Sequence, residues 1–286
     1  MARVGFVGLG VMGAPMAGHL HQAGNDTIVW NRTVAKSEPL RAQGIAVADS
    51  LAALAVHSDM VFLCVNRSED VADCVAEMKN TARPGTLFVD HSTIAPEAAI
   101  ALHIDLKESG FRFIDAPITG GSMGAQRGQL TIFCGGDEST IAEAMPVLSA
   151  YAKRAERVGG PGAGQMMKMA NQIAVGGALM ALCESLAFAD RAGLDLAQTR
   201  ELLSGGAAGS WAFDNYGPKI LTRDWTPGFS IKNQRKDFGY CLEAADSLEL
   251  DLPATALIDE LLGELESEGR GEETTAALFE LLVRRA

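Results

Sequence analysis

The stretch over residues 3–20, RVGFVGLGVMGAPMAGHL, constrains the fold of this 286-residue chain more than any other. Residues 3–7 are short, apolar and partly β-branched, as a buried parallel strand is. The glycine spacing G-x-G-x-x-G follows, and Met12, Met16 and Leu20 lie behind it at helical spacing. The order of strand, glycine turn and helix predicts a Rossmann-type βα unit at the start of the chain.

The three glycines of this turn have separate physical roles. Gly8 permits the tight turn, Gly10 lets backbone N–H groups approach a pyrophosphate, and Gly13 lets helix and strand pack closely. The partial positive charge of the helix N-terminus favours the phosphates. The predicted cofactor contacts in this turn are Gly8, Leu9, Gly10, Val11, Met12 and Gly13.

The end of the next strand indicates which dinucleotide is bound. A second apolar strand over residues 27–30 ends at Asn31, Arg32 and Thr33, where the residue that reads the ribose is expected. An NAD site needs Asp or Glu at this point, and the chain has neither. Asn31 does not repel a 2′-phosphate, while Arg32 and Thr33 can donate to it. We therefore predict NADP(H) in preference to NAD(H), the alternative being a polar turn with a solvated arginine.

Charge and composition exclude several classes of partner. The net charge of −12 disfavours nucleic acid and anionic membranes, which need a basic patch. No signal peptide and no uninterrupted apolar stretch of about 20 residues is visible, so we expect a cytoplasmic protein with no membrane partner. The 5 cysteines are scattered without a C-x-x-C, and the 5 histidines show no ligand spacing. We expect reduced thiols and no metal site.

The first half of the chain alternates strands with helices, which predicts a doubly wound sheet. One predicted strand covers residues 60–65 and ends at Val65 and Asn66, and another covers residues 86–90 and is followed by Thr93. These residues would lie at the carboxyl edge, where ligands of open α/β sheets bind. Further strands are predicted at residues 45–47, 111–114 and 129–134, with helices at 34–43, 50–57 and 69–78, the last capped by Ser68.

Strand signals almost vanish from residue 162 onward. Residues 1–161 are therefore predicted to form the α/β domain that binds the cofactor, and residues 162–286 an all-α domain. Residues 162–192 form one long helix between the domains, apolar on most faces, which favours burial between domains or subunits. Further helices are predicted at 196–203, 211–222, 232–248, 254–266 and 274–284.

Catalytic side chains are expected at the start of that long helix. Lys168, Asn171 and Gln172 share one helix face because they are three and four residues apart. The Lys168 ammonium could protonate a carbonyl oxygen while a reduced nicotinamide delivers hydride to the carbon. Burial beside a positive nicotinamide would lower the lysine pKa from about 10.4 towards neutrality. The alternative is a lysine that extends to solvent from a helix end.

Two further segments could contribute to this site. Thr119, Gly120 and Gly121 offer a hydroxyl and two unhindered backbone N–H groups, which suit a substrate carboxylate. Alone they are more typical of an ordinary turn. Lys236 could place a second ammonium beside the nicotinamide or the carboxylate, or could be a solvated helix charge.

Several separated motifs together resemble the β-hydroxyacid dehydrogenase family, which includes 3-hydroxyisobutyrate dehydrogenase, tartronate semialdehyde reductase, and the glyoxylate and succinic semialdehyde reductases. The motifs are GLGxMG at 8–13, DxST at 90–93, DAPxxGGxxGA at 115–125, GxGxxxKxxN at 162–171, and Lys236-Asp237. The resemblance implies that Lys168 is the general acid and base, that Thr119 to Gly121 and Asn171 hold the substrate, and that Thr93 and Lys236 contact the cofactor. It also implies that residues 162–286 form a domain for substrate binding and oligomerisation, which gives a homodimer or homotetramer.

The chain departs from the family pattern at two positions. Thr119 replaces the usual Ser, and Gln172 replaces a second Asn. The predicted function is interconversion of a small semialdehyde acid and its hydroxyacid with NADPH. An imine reductase-like enzyme and a non-catalytic NADP(H)-binding protein are the alternatives; imine reductases typically lack the lysine found here at position 168.

Overall fold

A computed structural model describes residues 2–284 of the chain. The chain divides into two compact units between Lys168 and Met169, inside one continuous helix. The first unit contains a nine-stranded sheet and the second is helical.

The sheet of the first unit has the strand order of a Rossmann fold. Its strands run β3-β2-β1-β4-β5-β6-β8-β7, with β9 paired to β8. The first six are parallel, as predicted, because the chain crosses over between successive strands through helices or helical turns. The bounds of all nine strands are β1 Arg3–Val7, β2 Asp26–Trp30, β3 Ala46–Val47, β4 Met60–Leu63, β5 Leu87–Asp90, β6 Arg112–Asp115, β7 Ile118–Thr119, β8 Leu130–Gly135 and β9 Ala152–Gly159.

The helices flank this sheet and build the second unit. Those of the first unit are α1 Gly13–Gln22, α2 Glu38–Arg41, α3 Leu51–His57, α4 Ser68–Lys79, α5 Pro96–Glu108, α6 Gly121–Gln126 and α7 Glu138–Leu148. The remainder are α8 Ala163–Arg191, α9 Leu196–Ser204, α10 Trp211–Asn215, α11 Gly217–Thr222, α12 Ile231–Ser247, α13 Pro253–Leu265 and α14 Leu278–Arg284.

The central strands bury both faces, as their continuous apolar sequences predict. Phe62 packs in the core on one face, whereas Val61 and Leu63 pack in the core on the other. The alternation follows from the two-residue period of a strand. The sheet is therefore covered on both sides, which leaves its carboxyl edge as the place for a ligand.

The last three strands differ from the sequence-based expectation. β8 is antiparallel to β6 and β7 but parallel to β9, so the sheet is mixed. The short strand β7 was not predicted, nor were β9 and helices α6 and α7. Strand β9 has the sequence AKRAERVG and is largely exposed. Its charges hide the apolar alternation of a strand, and such charges are typical of a sheet edge.

Three local predictions in the helices were wrong. The predicted helix at 34–43 is a 3₁₀ turn over Val34–Ser37 followed by the short α2. Ser68 does not cap α4: the N-cap is Arg67, whose N–H donates to Asp70, while the Ser68 hydroxyl accepts from Ala95. The predicted helix at 211–222 divides into α10 and α11.

The second unit is built around the middle of α8. Leu179, Leu182 and Leu186 are buried in its apolar core. Among the described residues, α8 is also the one helix whose length and hydropathy would suffice to cross a membrane. Core helices can have the same composition, and these three leucines pack against protein.

Candidate active site

The glycine turn has the geometry that the sequence predicts. Gly8 has φ of +95°, and a Cβ there would lie 2.2 Å from the carbonyl oxygen of Cys64. A Cβ on Gly13 would lie 1.9 Å from the carbonyl oxygen of Gly8. A Cβ on Gly10 would meet no atom within 4 Å. Gly8 and Gly13 are thus required by the fold itself, whereas Gly10 faces open space.

This turn fits the pyrophosphate of a dinucleotide. No side chain caps the N-terminus of α1, and the Ala14 N–H donates to the Gly10 carbonyl oxygen over 3.1 Å. The open surface at Gly10 lets a phosphate approach the backbone closely.

Asn31 links this turn to the end of β2. Its Oδ1 accepts a hydrogen bond of 2.8 Å from the Leu9 N–H, and its Nδ2 donates to the Thr33 carbonyl oxygen over 2.9 Å. The Asn31 amide therefore fixes the glycine turn at Leu9 relative to the segment that follows β2. The adjacent Arg32 side chain is 86% exposed, with its Nη1 3.5 Å from Asp70 Oδ1. Its guanidinium is available to an anion in solvent.

Val65 and Thr93 lie at the neighbouring strand ends. The Val65 N–H donates to Ser92 Oγ over 2.9 Å, which joins the segments that follow β4 and β5. Asn66 is exposed and Thr93 is half-buried. The structure thus brings the predicted cofactor residues of the first unit to the carboxyl edge of β1, β2, β4 and β5.

Asp115, at the end of β6, holds the first turn of α8. Its Oδ1 accepts from the Gly162 N–H and its Oδ2 from the Gln165 N–H, each over 2.9 Å. Burial raises the pKa of this carboxyl, and the two N–H groups act in the opposite direction. A Cβ on Gly164 would lie 2.5 Å from the Phe133 carbonyl oxygen, so a glycine there lets the helix approach the strands.

Lys168 follows one turn later and is buried. Its Nζ donates to the carbonyl oxygen of Ile118 over 2.9 Å. Ile118 belongs to β7 and directly precedes Thr119, Gly120 and Gly121, which are half-buried. The structure therefore brings the predicted acid and base next to the predicted carboxylate-binding segment, from positions about 50 residues apart.

The other predicted residues, Asn171 and Lys236, belong to the second unit and are connected there. Asn171 Nδ2 donates to Gln172 Oε1 over 2.9 Å, and Gln172 Nε2 donates to Asp237 Oδ2 over 2.7 Å. Asp237 Oδ1 lies 3.1 Å from Lys236 Nζ. Lys236 is therefore an ion-paired side chain within the protein and not a solvated helix charge. Gln172, which replaces the family asparagine, orients Asn171.

Sequence reasoning missed the roles of Asp115 and Gln165. Both lie inside the motifs at 115–125 and 162–171, which was the signal that could have found them. Among the residues that the structure describes, no group of three or more His, Cys, Asp or Glu side chains could hold a metal ion.

Comparisons with known proteins agree with this arrangement. Residues 3–160 match the family model for the NAD binding domain of 6-phosphogluconate dehydrogenase. Residues 162–282 match the model described as NAD-binding of NADP-dependent 3-hydroxyisobutyrate dehydrogenase.

Individual relatives match over nearly the whole chain. The probable 3-hydroxyisobutyrate dehydrogenase-like 1 of Arabidopsis thaliana, a mitochondrial protein, is 40% identical over 99% of this chain and 85% of its own length. The 2-hydroxy-3-oxopropionate reductase of Escherichia coli (strain K12) is 33% identical over 98% of this chain and 97% of its own. The solved 3-hydroxyisobutyrate dehydrogenase of Mycobacterium tuberculosis, with L-serine, superposes with a TM-score of 0.89 at 29% identity, covering 99% of each chain.

Proposed function

Because the chain belongs to the β-hydroxyacid dehydrogenase family and is an oxidoreductase of that family, we propose that it interconverts a small semialdehyde acid and its hydroxyacid with NADP(H). The observation that carries this proposal is the buried Lys168 ammonium bound to Ile118, next to the segment from Thr119 to Gly121. A proton donor beside a group able to bind a carboxylate is what such a reduction needs.

NADPH is the hydride donor in this proposal, and the residues of the first unit would hold it. The open backbone at Gly10 and the α1 N-terminus would take the pyrophosphate. Arg32 and Thr33 would bind the 2′-phosphate, and Val65, Asn66 and Thr93 would line the remaining path along the strand ends. The second family model, which describes an NADP-dependent enzyme, supports this preference.

Lys168 would supply the proton. As hydride reaches the carbonyl carbon, the ammonium gives its proton to the carbonyl oxygen and becomes a neutral amine. In the opposite direction the amine takes the hydroxyl proton. The carbonyl of Ile118 accepts a hydrogen bond from Nζ, which constrains the position of the ammonium.

The substrate would be held at its other end. Thr119 would donate its hydroxyl, and Gly120 and Gly121 their N–H groups, to the substrate carboxylate, while Asn171 would bind the hydroxyl or carbonyl oxygen. Thr119 has one methyl more than serine. This methyl narrows the substrate pocket beside the segment, which favours a compact acid.

The experiment that tests this function follows oxidation of NADPH and NADH with glyoxylate, succinic semialdehyde, tartronate semialdehyde and methylmalonate semialdehyde. We expect turnover with NADPH and at least one acid, and a fall in kcat of roughly 10²- to 10⁴-fold in Lys168→Ala. Lys153→Ala, an exposed lysine of β9, is the matched control and should retain activity. Absence of turnover with all four acids, or full activity of Lys168→Ala, would contradict the proposal.

We also propose that the protein is cytoplasmic and acts as a homodimer or homotetramer. The exposed apolar side chains of the second unit support association.

A further inference from the structure

Gln165 is a fully buried amide that binds the backbone on both sides of Thr93. Its Oε1 accepts from the Ile94 N–H over 3.2 Å, and its Nε2 donates to the Ser92 carbonyl oxygen over 2.8 Å. Thr93 lies between these two fixed points. The amide therefore sets the path of the segment that follows β5.

The same residue also fixes the start of α8. The Gln165 N–H donates to Asp115 Oδ2, so one residue joins the first turn of the helix to the ends of both β5 and β6. Lys168 lies three residues further along, on the next turn. A change in the direction of this helix start would move the Lys168 ammonium relative to Thr93.

We propose that Gln165 is a positioning residue that couples the Thr93 segment to Lys168. The inference rests on the proposed function, in which Thr93 contacts the cofactor and Lys168 moves the proton. A buried amide with both ends bonded holds its two partners in one arrangement, because any other arrangement leaves a buried polar group without a partner. The position of Lys168, the proposed proton donor, is thereby fixed relative to Thr93, the proposed contact of the cofactor that donates the hydride.

Three variants test this role. Gln165→Met keeps the approximate size of the side chain and removes both hydrogen bonds. Gln165→Glu keeps an acceptor for Ile94 and, only while its carboxyl is protonated, a donor for Ser92. Val89→Ala, in the buried part of β5, is the control, since it weakens the same strand without touching the amide contacts. All assays are run below the unfolding transition measured for each variant.

Two readouts are compared, kcat for the reduction and the dissociation constant for NADPH measured by calorimetry without substrate. We expect kcat of Gln165→Met to fall roughly 10- to 100-fold, because small displacements of reacting groups have effects of this size. The dissociation constant should rise about fivefold, the equivalent of one hydrogen bond. Val89→Ala should stay within about twofold of the wild type in both.

The pH profile separates positioning from a merely structural role. The ratio of kcat in Gln165→Glu to kcat in the wild type should fall as pH rises, since ionisation of the buried carboxyl removes the donor to Ser92. The inference would be overturned if this ratio of kcat values stayed constant with pH. It would also be overturned if Gln165→Met had the kcat and NADPH dissociation constant of the wild type, or if Val89→Ala lost as much in both. A wild-type chain that binds NADPH but reduces none of the acids would contradict the proposed function, and the NADPH dissociation constants would still decide on Gln165.

Discussion

At the scale of single residues, Arg32 is the exposed cation beside the glycine turn, and its charge should decide cofactor preference. We expect Arg32→Ala to weaken NADPH binding about 10- to 100-fold, because a charge-assisted contact to the 2′-phosphate contributes roughly 1.5 to 3 kcal/mol. NADH binding should change less than about threefold. Titration calorimetry with both cofactors measures this difference. Arg41→Ala, an exposed arginine paired with Glu38, controls for the change in net charge. Equal weakening of both cofactors would contradict the assignment of Arg32.

A second prediction at this scale concerns His91, which lies beside the cofactor segment but in the core. Its Nδ1–H donates to the Ala116 carbonyl oxygen over 2.6 Å, and its Nε2 accepts from the Tyr151 hydroxyl over 2.7 Å. Burial lowers the pKa of His91 to about 4. The neutral ring satisfies both partners, with Nδ1–H as the donor and Nε2 as the acceptor.

This histidine should make the first unit less stable in acid. Between pH 6.5 and about 4 the unfolded chain binds a proton that the native ring does not, so stability rises with pH across this window. The contribution is complete above pH 6.5 and decreases by about 3 kcal/mol as pH falls to 4. Denaturant unfolding at a series of pH values should show a shallower slope for His91→Gln. Tyr151→Phe, which keeps the imidazole, should retain the slope. An unchanged slope in His91→Gln would contradict the prediction.

At the scale of elements, the glycine turn separates folding from binding. Gly13→Ala should lower the free energy of unfolding by several kcal/mol, because the added methyl would overlap the Gly8 carbonyl at the start of α1. Gly10→Ala has room for its methyl and should unfold like the wild type, yet bind NADPH at least about tenfold more weakly. Thermal unfolding of the two variants measures their stability, and calorimetry measures their NADPH binding. Tight NADPH binding by Gly10→Ala would contradict the pyrophosphate site.

The sequence predicts those elements whose signals are local. The glycine turn and the apolar strands β1 to β6 follow from residues within a few positions of each other. Strand β9 cannot be predicted in this way, because its charged residues do not alternate regularly with apolar ones. The bonds from Asp115 and Gln165 join residues about 50 to 70 positions apart, and only the folded sheet brings such partners together. The sequence thus pointed to Lys168 and the Thr119 segment, which the structure brings together, but not to the contacts that hold them.

At the scale of the whole molecule, association should involve the exposed apolar side chains of the second unit. Phe188 on α8 is 74% exposed, which is unusual for so large an apolar residue. Sedimentation should give two or four times the 30.1 kDa of one chain. Phe188→Glu should shift the distribution towards smaller species, whereas Leu248→Glu, an exposed leucine at the end of α12, should not. A single-chain mass at micromolar concentration would contradict the proposal.

The division of the chain inside α8 has a practical meaning for recombining relatives. A crossover in the loop at 160–162 would take Lys168 from one parent, and Asp115, Ile118 and Ser92 from another. A crossover just after Lys168 keeps all of these bonds within one parental sequence and changes only the residues from Met169 onward. Chimeras joined there should keep the proposed proton donor and its contacts from the first parent, while the proposed substrate contact Asn171 comes from the second.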